Sequence, residues 1–182
     1  EKKQELRREE KRVSRTAGEL MGEFYNAMLK RIPGKPTNED LQGLNVLCVR
    51  LVFCLYAEDA GIFSDGLFRE YLVRYSAEEI REQLIILFAR LRNPEDRYLK
   101  PELKRFPYVK GLFEQQEGEE NFPLLDDTLK TLLLDKLSKF NWSHISPANF
   151  GAVFESTLDP DTRRNGGMHY TDVENIHKVI DP

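Results

Sequence analysis

The fold is decided by one stretch, Leu41-Gln-Gly-Leu-Asn-Val-Leu-Cys-Val-Arg-Leu-Val-Phe-Cys-Leu-Tyr56, which is apolar on nearly every side when drawn as a helix. A helix that is hydrophobic all round must be surrounded by other elements. The longest mainly apolar run, residues 44–57, is interrupted by Asn45 and Arg50 and is shorter than the roughly 20 residues that span a bilayer. The stretch therefore predicts a buried helix at the centre of a folded core.

A charged residue, Arg50, lies inside this apolar stretch. An unpaired charge at a buried position costs several kcal/mol, so the guanidinium needs a carboxylate partner. Glu58 and Asp59, at the polar end of the same segment, are candidates, although they are two turns away on an ideal helix. We expect a structural ion pair and not a direct role in substrate binding.

Composition and charge are those of an ordinary globular chain. The 182 residues include 27 Lys and Arg against 31 Asp and Glu, giving a net charge of -4, with 40% hydrophobic residues. This acidic balance argues against a self-sufficient nucleic-acid binder, although local basic patches remain open. Cys48 and Cys54 fit neither a CxxC metal site nor a disulfide framework, which suits reduced cysteines in a cytoplasmic protein. Since helical sequence runs into Ile180, we expect a piece of a longer protein.

Helix signals flank the central stretch on both sides. A charged segment followed by apolar residues at helical spacing predicts a first helix to about Ile32, and the Pro33–Pro36 segment stops it. Thr37 or Asn38 can cap the central helix, which Gly61 ends. These signals predict two consecutive helices separated by a short turn.

Further helices are predicted towards the C-terminus. Ser76 opens a capping box ahead of a helix that ends before Asn93-Pro94, residues 125–137 are amphipathic, and Ser146-Pro147 precedes a helix to about Leu158. Residues 108–113 could form a short hairpin or an irregular loop. Residues 115–121 are acidic and predict a solvated loop.

Two candidate metal sites have weak support. Asp96, Glu102 and Lys104 occur in the order of a metal-dependent nuclease site, but such a site needs residues that converge from adjacent strands, and this stretch has no strand character. Of the histidines His144, His169 and His177, the last lies three residues after Glu174 on a predicted helix, but zinc needs three or four converging ligands. We expect no metal site and no catalytic residue in the chain.

Several separated motifs occur together in one order. They are Val49–Phe63, Phe106–Phe113, Phe140–Glu155, Leu158-Asp-Pro160, Arg163-Arg164 and Gly167-Met-His-Tyr-Thr171. Together they resemble the helical spacer of MmeI-like (type IIL) restriction-modification enzymes, large single chains that combine an endonuclease with an adenine-specific DNA methyltransferase. The resemblance covers most of the chain from about Asn45 onwards.

The resemblance implies a mainly α fold, a multi-helix bundle-like spacer domain with the first helix of an α/β methyltransferase at the C-terminus. Residues 1–36 would be a charged long helix and linker, residues 37–139 the spacer core, and residues 140–182 the junction and start of the methyltransferase domain. The intact enzyme would act on double-stranded DNA, and Mg²⁺ would serve only an upstream nuclease outside this chain. We expect the fragment to be monomeric, with no membrane contact.

The same resemblance assigns His169, Tyr170 and Thr171 to the wall of an S-adenosylmethionine pocket. Thr171 also opens a capping box with Glu174, and the N-terminus of the helix that follows would suit the cofactor's carboxylate. The alternative is that Thr171 only caps and Tyr170 only packs.

Neither the Gly-rich cofactor loop nor the Asn/Asp-Pro-Pro motif for a flipped adenine occurs in the sequence. We therefore expect a chain that is not catalytic alone, with Arg163, Arg164 or the basic residues of the first helix as possible DNA phosphate contacts. A stand-alone helical protein-interaction module is the alternative function.

Overall fold

The computed structural model describes residues 1–145, and the regular elements among them are helical, with no strand. The helices are α1 (Lys2–Leu29), α2 (Asn38–Asp59), α3 (Leu67–Val73), α4 (Ala77–Arg92), α5 (Pro101–Lys104) and α6 (Asp127–Thr131), followed by a π-helical segment, Leu132–Leu137, and a 3₁₀ turn, Trp142–His144. The prediction of a mainly α fold is confirmed. The helix expected to begin at Ser146, and the methyltransferase helix expected beyond it, lie outside the described residues.

Helix α2 is the centre of the core, as its composition predicts. Fifteen of its 22 residues are buried, including both cysteines, and it contacts α1, α3 and the 3₁₀ turn. Burial raises the pKa of the Cys48 and Cys54 thiols, which keeps them protonated. By length and composition α2 could cross a membrane, but 83% of its most apolar 18-residue window is buried inside the protein. Packing by the neighbouring helices therefore accounts for its apolar character.

Side-chain caps fix where the central helices begin. The backbone N–H of Asp40 donates to the Thr37 hydroxyl at 3.1 Å, and the Thr37 N–H donates to the Asp40 carboxylate at 2.9 Å. Ser76 and Glu79 form the predicted capping box at α4. Helix α2 ends at Asp59, and Gly61 follows with a φ of 82°, a conformation that glycine adopts at little cost.

Helix α1 has two unlike halves. Residues 1–12 are all exposed, whereas from Val13 onwards one face is buried in the core. At a rise of about 1.5 Å per residue, the exposed half extends roughly 17 Å along the helix axis. The helix ends at Leu29, three residues before the predicted end, because a tighter turn takes over: the Ile32 N–H donates to the Leu29 carbonyl.

The helix predicted over residues 125–137 begins at Asp127 and changes from α to π geometry at Leu132. Asp126 caps α6 by accepting the Leu129 N–H at 2.9 Å, and the chain then widens into the π-helical segment. Residues 108–113 form an irregular loop and not a hairpin, because Val109 donates its N–H to the Leu91 carbonyl at the end of α4 at 2.6 Å. These departures depend on contacts between distant segments, which local periodicity does not report.

Candidate functional site

The buried guanidinium of Arg50 is the centre of a network that joins α2 to a distant loop. Its side chain is 2% exposed and donates to the Glu119 carboxylate and, at 3.1 Å, to the Glu114 carbonyl. The Arg50 guanidinium carbon lies 5.3 Å from the ring centroid of Phe88 and 5.7 Å from that of Phe113. Arg50 is therefore a buried, paired residue that packs against two neighbouring aromatic rings.

Glu119 is shared between two arginines. Its carboxylate accepts from Arg92 at 3.1 Å and from the Gln116 N–H at 3.1 Å, in addition to the Arg50 contact. Burial raises the pKa of the Glu119 carboxyl, but the hydrogen bond and charge of Arg50 outweigh it, so that the pKa is lowered overall. The network thus holds an ionised carboxylate against α2 and the end of α4.

The partner expected for Arg50 was wrong. The Glu58 carboxylate accepts the Arg69 N–H at 3.4 Å, and the Asp59 carboxylate accepts the Trp142 N–H at 2.8 Å. Both acids lie two turns along α2 from Arg50, beyond the reach of its guanidinium, and they instead hold the starts of α3 and of the 3₁₀ turn. Burial raises the pKa of Glu58 to about 7.

Residues 115–121 form the predicted loop and most of them are exposed, but the prediction that the loop is solvated fails at Glu119, whose side chain is only 8% exposed. One signal could have identified it. A buried arginine with no carboxylate within one turn on its own helix needs a partner from elsewhere, and this Glu-rich loop follows the aromatic residue Phe113, which packs on Arg50. The net charge of a loop does not reveal such a role, because it counts exposed and buried carboxylates equally.

The nuclease-like triplet does not form a site. The two oxygens of the Glu102 carboxylate accept from the Tyr75 hydroxyl at 2.8 Å and from Arg74 at 2.5 Å. Within residues 1–145, no group of three or more His, Cys, Asp or Glu side chains could hold a metal ion. His144 lies in the 3₁₀ turn, whereas His169 and His177 are outside the described residues.

Two surface clefts, of about 240 and 360 Å³, contain basic side chains that are already engaged. In the first, the Arg81 Nε donates to the Phe122 carbonyl at 2.7 Å. In the second, the Lys130 ammonium donates to the Tyr75 carbonyl at 2.7 Å. The first cleft has no hydroxyl or thiol, and in the second the Thr131 hydroxyl has no hydrogen bond to Asp127 or Asp135, so neither cleft presents a nucleophile paired with a base.

The remaining predicted site residues are His169, Tyr170 and Thr171 for the cofactor and Arg163 and Arg164 for DNA phosphates. All five lie outside the described residues. Their assignments stay predictions.

Comparisons with known proteins agree on one family. Residues 42–113 match the family model described as the MmeI helicase spacer domain. DNA methyltransferase A of Bacillus subtilis (strain 168) is 34% identical over 171 residues, which are 91% of this chain and 19% of that protein. The type IIL restriction-modification enzyme MmeI, solved in complex with DNA, is 36% identical with a TM-score of 0.65, over 92% of this chain and 22% of that one. The chain thus spans about a fifth of these relatives, and the predicted resemblance is confirmed.

Proposed function

We propose that this chain, whose residues 42–113 belong to the MmeI helicase spacer domain family, is the helical spacer of a bifunctional DNA restriction-modification enzyme. It would link an upstream endonuclease to a downstream S-adenosylmethionine-dependent adenine methyltransferase. One observation carries the proposal: similarity at 34% and 36% identity extends over more than nine tenths of the chain, in a DNA methyltransferase and in a type IIL enzyme. The comparisons do not favour the stand-alone interaction module.

The described structure supports a mechanical role. Its core is continuous from α1 to the 3₁₀ turn, and the Arg50–Glu119–Arg92 network ties two helices to the loop that precedes α6. A spacer must transmit position between the parts it joins, and a closely packed interior resists deformation.

The C-terminal segment would begin the methyltransferase domain. In the intact protein, His169, Tyr170 and Thr171 would line one wall of the S-adenosylmethionine pocket, and Arg163 and Arg164 would contact DNA phosphates. S-adenosylmethionine would supply the methyl group, whereas Thr171 would cap the helix whose N-terminus faces the cofactor's carboxylate. Any Mg²⁺ would belong to the upstream endonuclease.

The same proposal includes the domain boundaries of the chain and the cellular location of the parent enzyme. Residues 1–36 would be the entering helix and linker, 37–139 the spacer core, and 140–182 the junction and start of the methyltransferase domain, with one face of α1 and the Trp142 side chain packed into the same core. The parent enzyme would work on double-stranded DNA in the cytoplasm, and the fragment would be monomeric and inactive.

The test compares the 182-residue chain with the full-length protein that contains it. Both are incubated with radiolabelled S-adenosylmethionine and duplex DNA. We expect methyl transfer to adenine by the full-length protein and none by the fragment. Cofactor-dependent methylation by the fragment alone, or no methylation by a folded full-length protein on any of a diverse set of duplexes, would contradict the proposal.

A further inference from the structure

The loop that follows α4 presents an unusually exposed aromatic ring. Tyr98 is 91% exposed, more than any other large hydrophobic side chain recorded for the described residues. A tyrosine so exposed adds little to the stability of the fold, since it buries almost no apolar area. Its position therefore calls for an explanation outside the core.

Positive charge follows this ring in sequence, whereas Glu95 and Asp96 precede it. Residues 97–110, here called the basic loop, contain five basic residues and one acidic residue, in a chain whose net charge is -4. The basic residues are Arg97, Lys100, Lys104, Arg105 and Lys110. Arg97 is paired with Glu95 and Arg105 with Glu70, so the positive charge that remains in the loop is that of its lysines.

The basic loop is held at its base by the last turn of α4. One guanidinium, that of Arg90, donates to the Asn93 carbonyl at 3.0 Å and to the Phe106 carbonyl at 3.1 Å. The Val109 N–H donates to the Leu91 carbonyl. Both sides of the loop are therefore fixed to the core, so that Tyr98, Lys100 and Lys104 lie on a segment anchored at both ends, and Lys110 directly follows the second anchor.

Three ammonium groups of the basic loop have no carboxylate partner among residues 1–145: those of Lys100, Lys104 and Lys110. All three residues are exposed. The single acid of the loop, Glu102, is engaged elsewhere, because its carboxylate accepts hydrogen bonds from Arg74 and Tyr75. The lysine charges are thus available to an external anion.

We infer that the basic loop contacts the phosphate backbone of double-stranded DNA, with the three lysines against phosphates and Tyr98 donating its hydroxyl to a phosphate oxygen. This rests on the proposed function of the parent enzyme. Lysine is depleted at protein interfaces and binds DNA phosphates, so the three lysines favour DNA over a protein partner, and the tyrosine hydroxyl can also bind a DNA phosphate. Such contacts fix the position of a protein on the duplex without reading its sequence.

The test measures binding of a fluorescent 30-base-pair duplex by the full-length protein at several salt concentrations. The test variant carries Lys100→Ala, Lys104→Ala and Lys110→Ala. The control carries Lys30→Ala, Lys35→Ala and Lys139→Ala, three lysines that are also exposed and unpaired within the described residues. If the loop makes three phosphate contacts, the slope of log K against log salt becomes shallower by about 2.7 in the test variant and is unchanged in the control.

Tyr98 is tested separately. Tyr98→Phe keeps the ring and removes the hydroxyl, so we expect binding about tenfold weaker than that of the parental protein. Equal affinity and equal salt slope in the triple variant, the Tyr98→Phe variant and the parental protein would overturn the inference. That result, in a parental protein that binds and methylates DNA, leaves the proposed function standing, whereas a parental protein that neither binds nor methylates DNA overturns both.

Discussion

Removing the Glu119 carboxylate should destabilise the protein more than any other single change in the acidic loop. Glu119→Ala leaves the Arg50 guanidinium, 2% exposed, with one carbonyl and two aromatic faces as its partners. Breaking a buried ion pair by deleting one partner typically costs about 3–5 kcal/mol. Because those contacts remain, we expect about 3 kcal/mol, a large share of the roughly 5–15 kcal/mol that stabilises a typical domain.

Three further variants serve as comparisons for Glu119→Ala. Glu120→Ala removes an exposed acid from the next position and should change stability by less than about 0.5 kcal/mol. Arg50→Met should cost less than Glu119→Ala, because Glu119 keeps Arg92 and the Gln116 N–H as partners. Combining Arg50→Met with Glu119→Leu removes both charges and should recover most of the lost stability.

The assay is urea unfolding of the chain, followed by far-ultraviolet circular dichroism and by the fluorescence of its one tryptophan, the buried Trp142. The pKa of Glu119 is lowered in the folded protein, so its stabilising effect is present above its ordinary pKa of 4.5 and is lost as the pH falls through the folded value. The difference between wild type and Glu119→Ala should therefore shrink in acid. A difference at pH 7 no larger than that of Glu120→Ala would refute the reasoning.

Three further predictions concern single positions. Gly43→Ala should destabilise the chain by about 1–3 kcal/mol in urea unfolding, because an added Cβ would lie 2.8 Å from the carbonyl carbon of Asn121. This loss is expected although alanine is the better helix former. Equal or higher stability of the variant would contradict the close approach of Gly43 to Asn121. Burial raises the pKa of Glu58 to about 7, so the wild-type protein should lose stability as the pH rises through 7, whereas Glu58→Gln should not. The measurement is the melting temperature of both proteins from pH 5 to 8. The same pH dependence in both proteins would contradict the prediction. In the full-length enzyme, Thr171→Ala should cost about 0.5–2 kcal/mol of helix stability, because the helix loses its cap. Thr171→Ala and Tyr170→Ala should each weaken S-adenosylmethionine binding, measured by calorimetry. Unchanged cofactor affinity in both variants would show that the two residues have a structural role only.

The elements that were predicted correctly are those whose signals are local. The all-round apolar pattern of residues 41–56 identifies the central helix because burial on every side leaves no polar face. Thr37 and Ser76 mark the beginnings of their helices because a cap acts within three residues. The family motifs were recognisable for a similar reason, since each is a short continuous segment.

The features that were missed depend on contacts between segments far apart in sequence. Arg50 was expected to be paired, but the choice of Glu119 over Glu58 depends on which loop packs beside α2. The switch to a π-helical segment at Leu132 has no counterpart in the spacing of the leucines, which fits an ordinary α-helix. The side-chain pattern reports which residues are buried, but it does not report which distant segment buries them.

The separation between Arg50 and Glu119 also has a consequence for synthesis on the ribosome. The two residues are 69 positions apart, and at about 5–20 residues per second the ribosome needs several seconds to add the second after the first. During that interval the Glu119 carboxylate is not available to pair with Arg50. We therefore expect the face of α2 that carries Arg50 to stay hydrated. Arg50 gains its ion-pair partner only after the acidic loop has been synthesised. We therefore expect full burial of α2 to occur late in the synthesis of the chain.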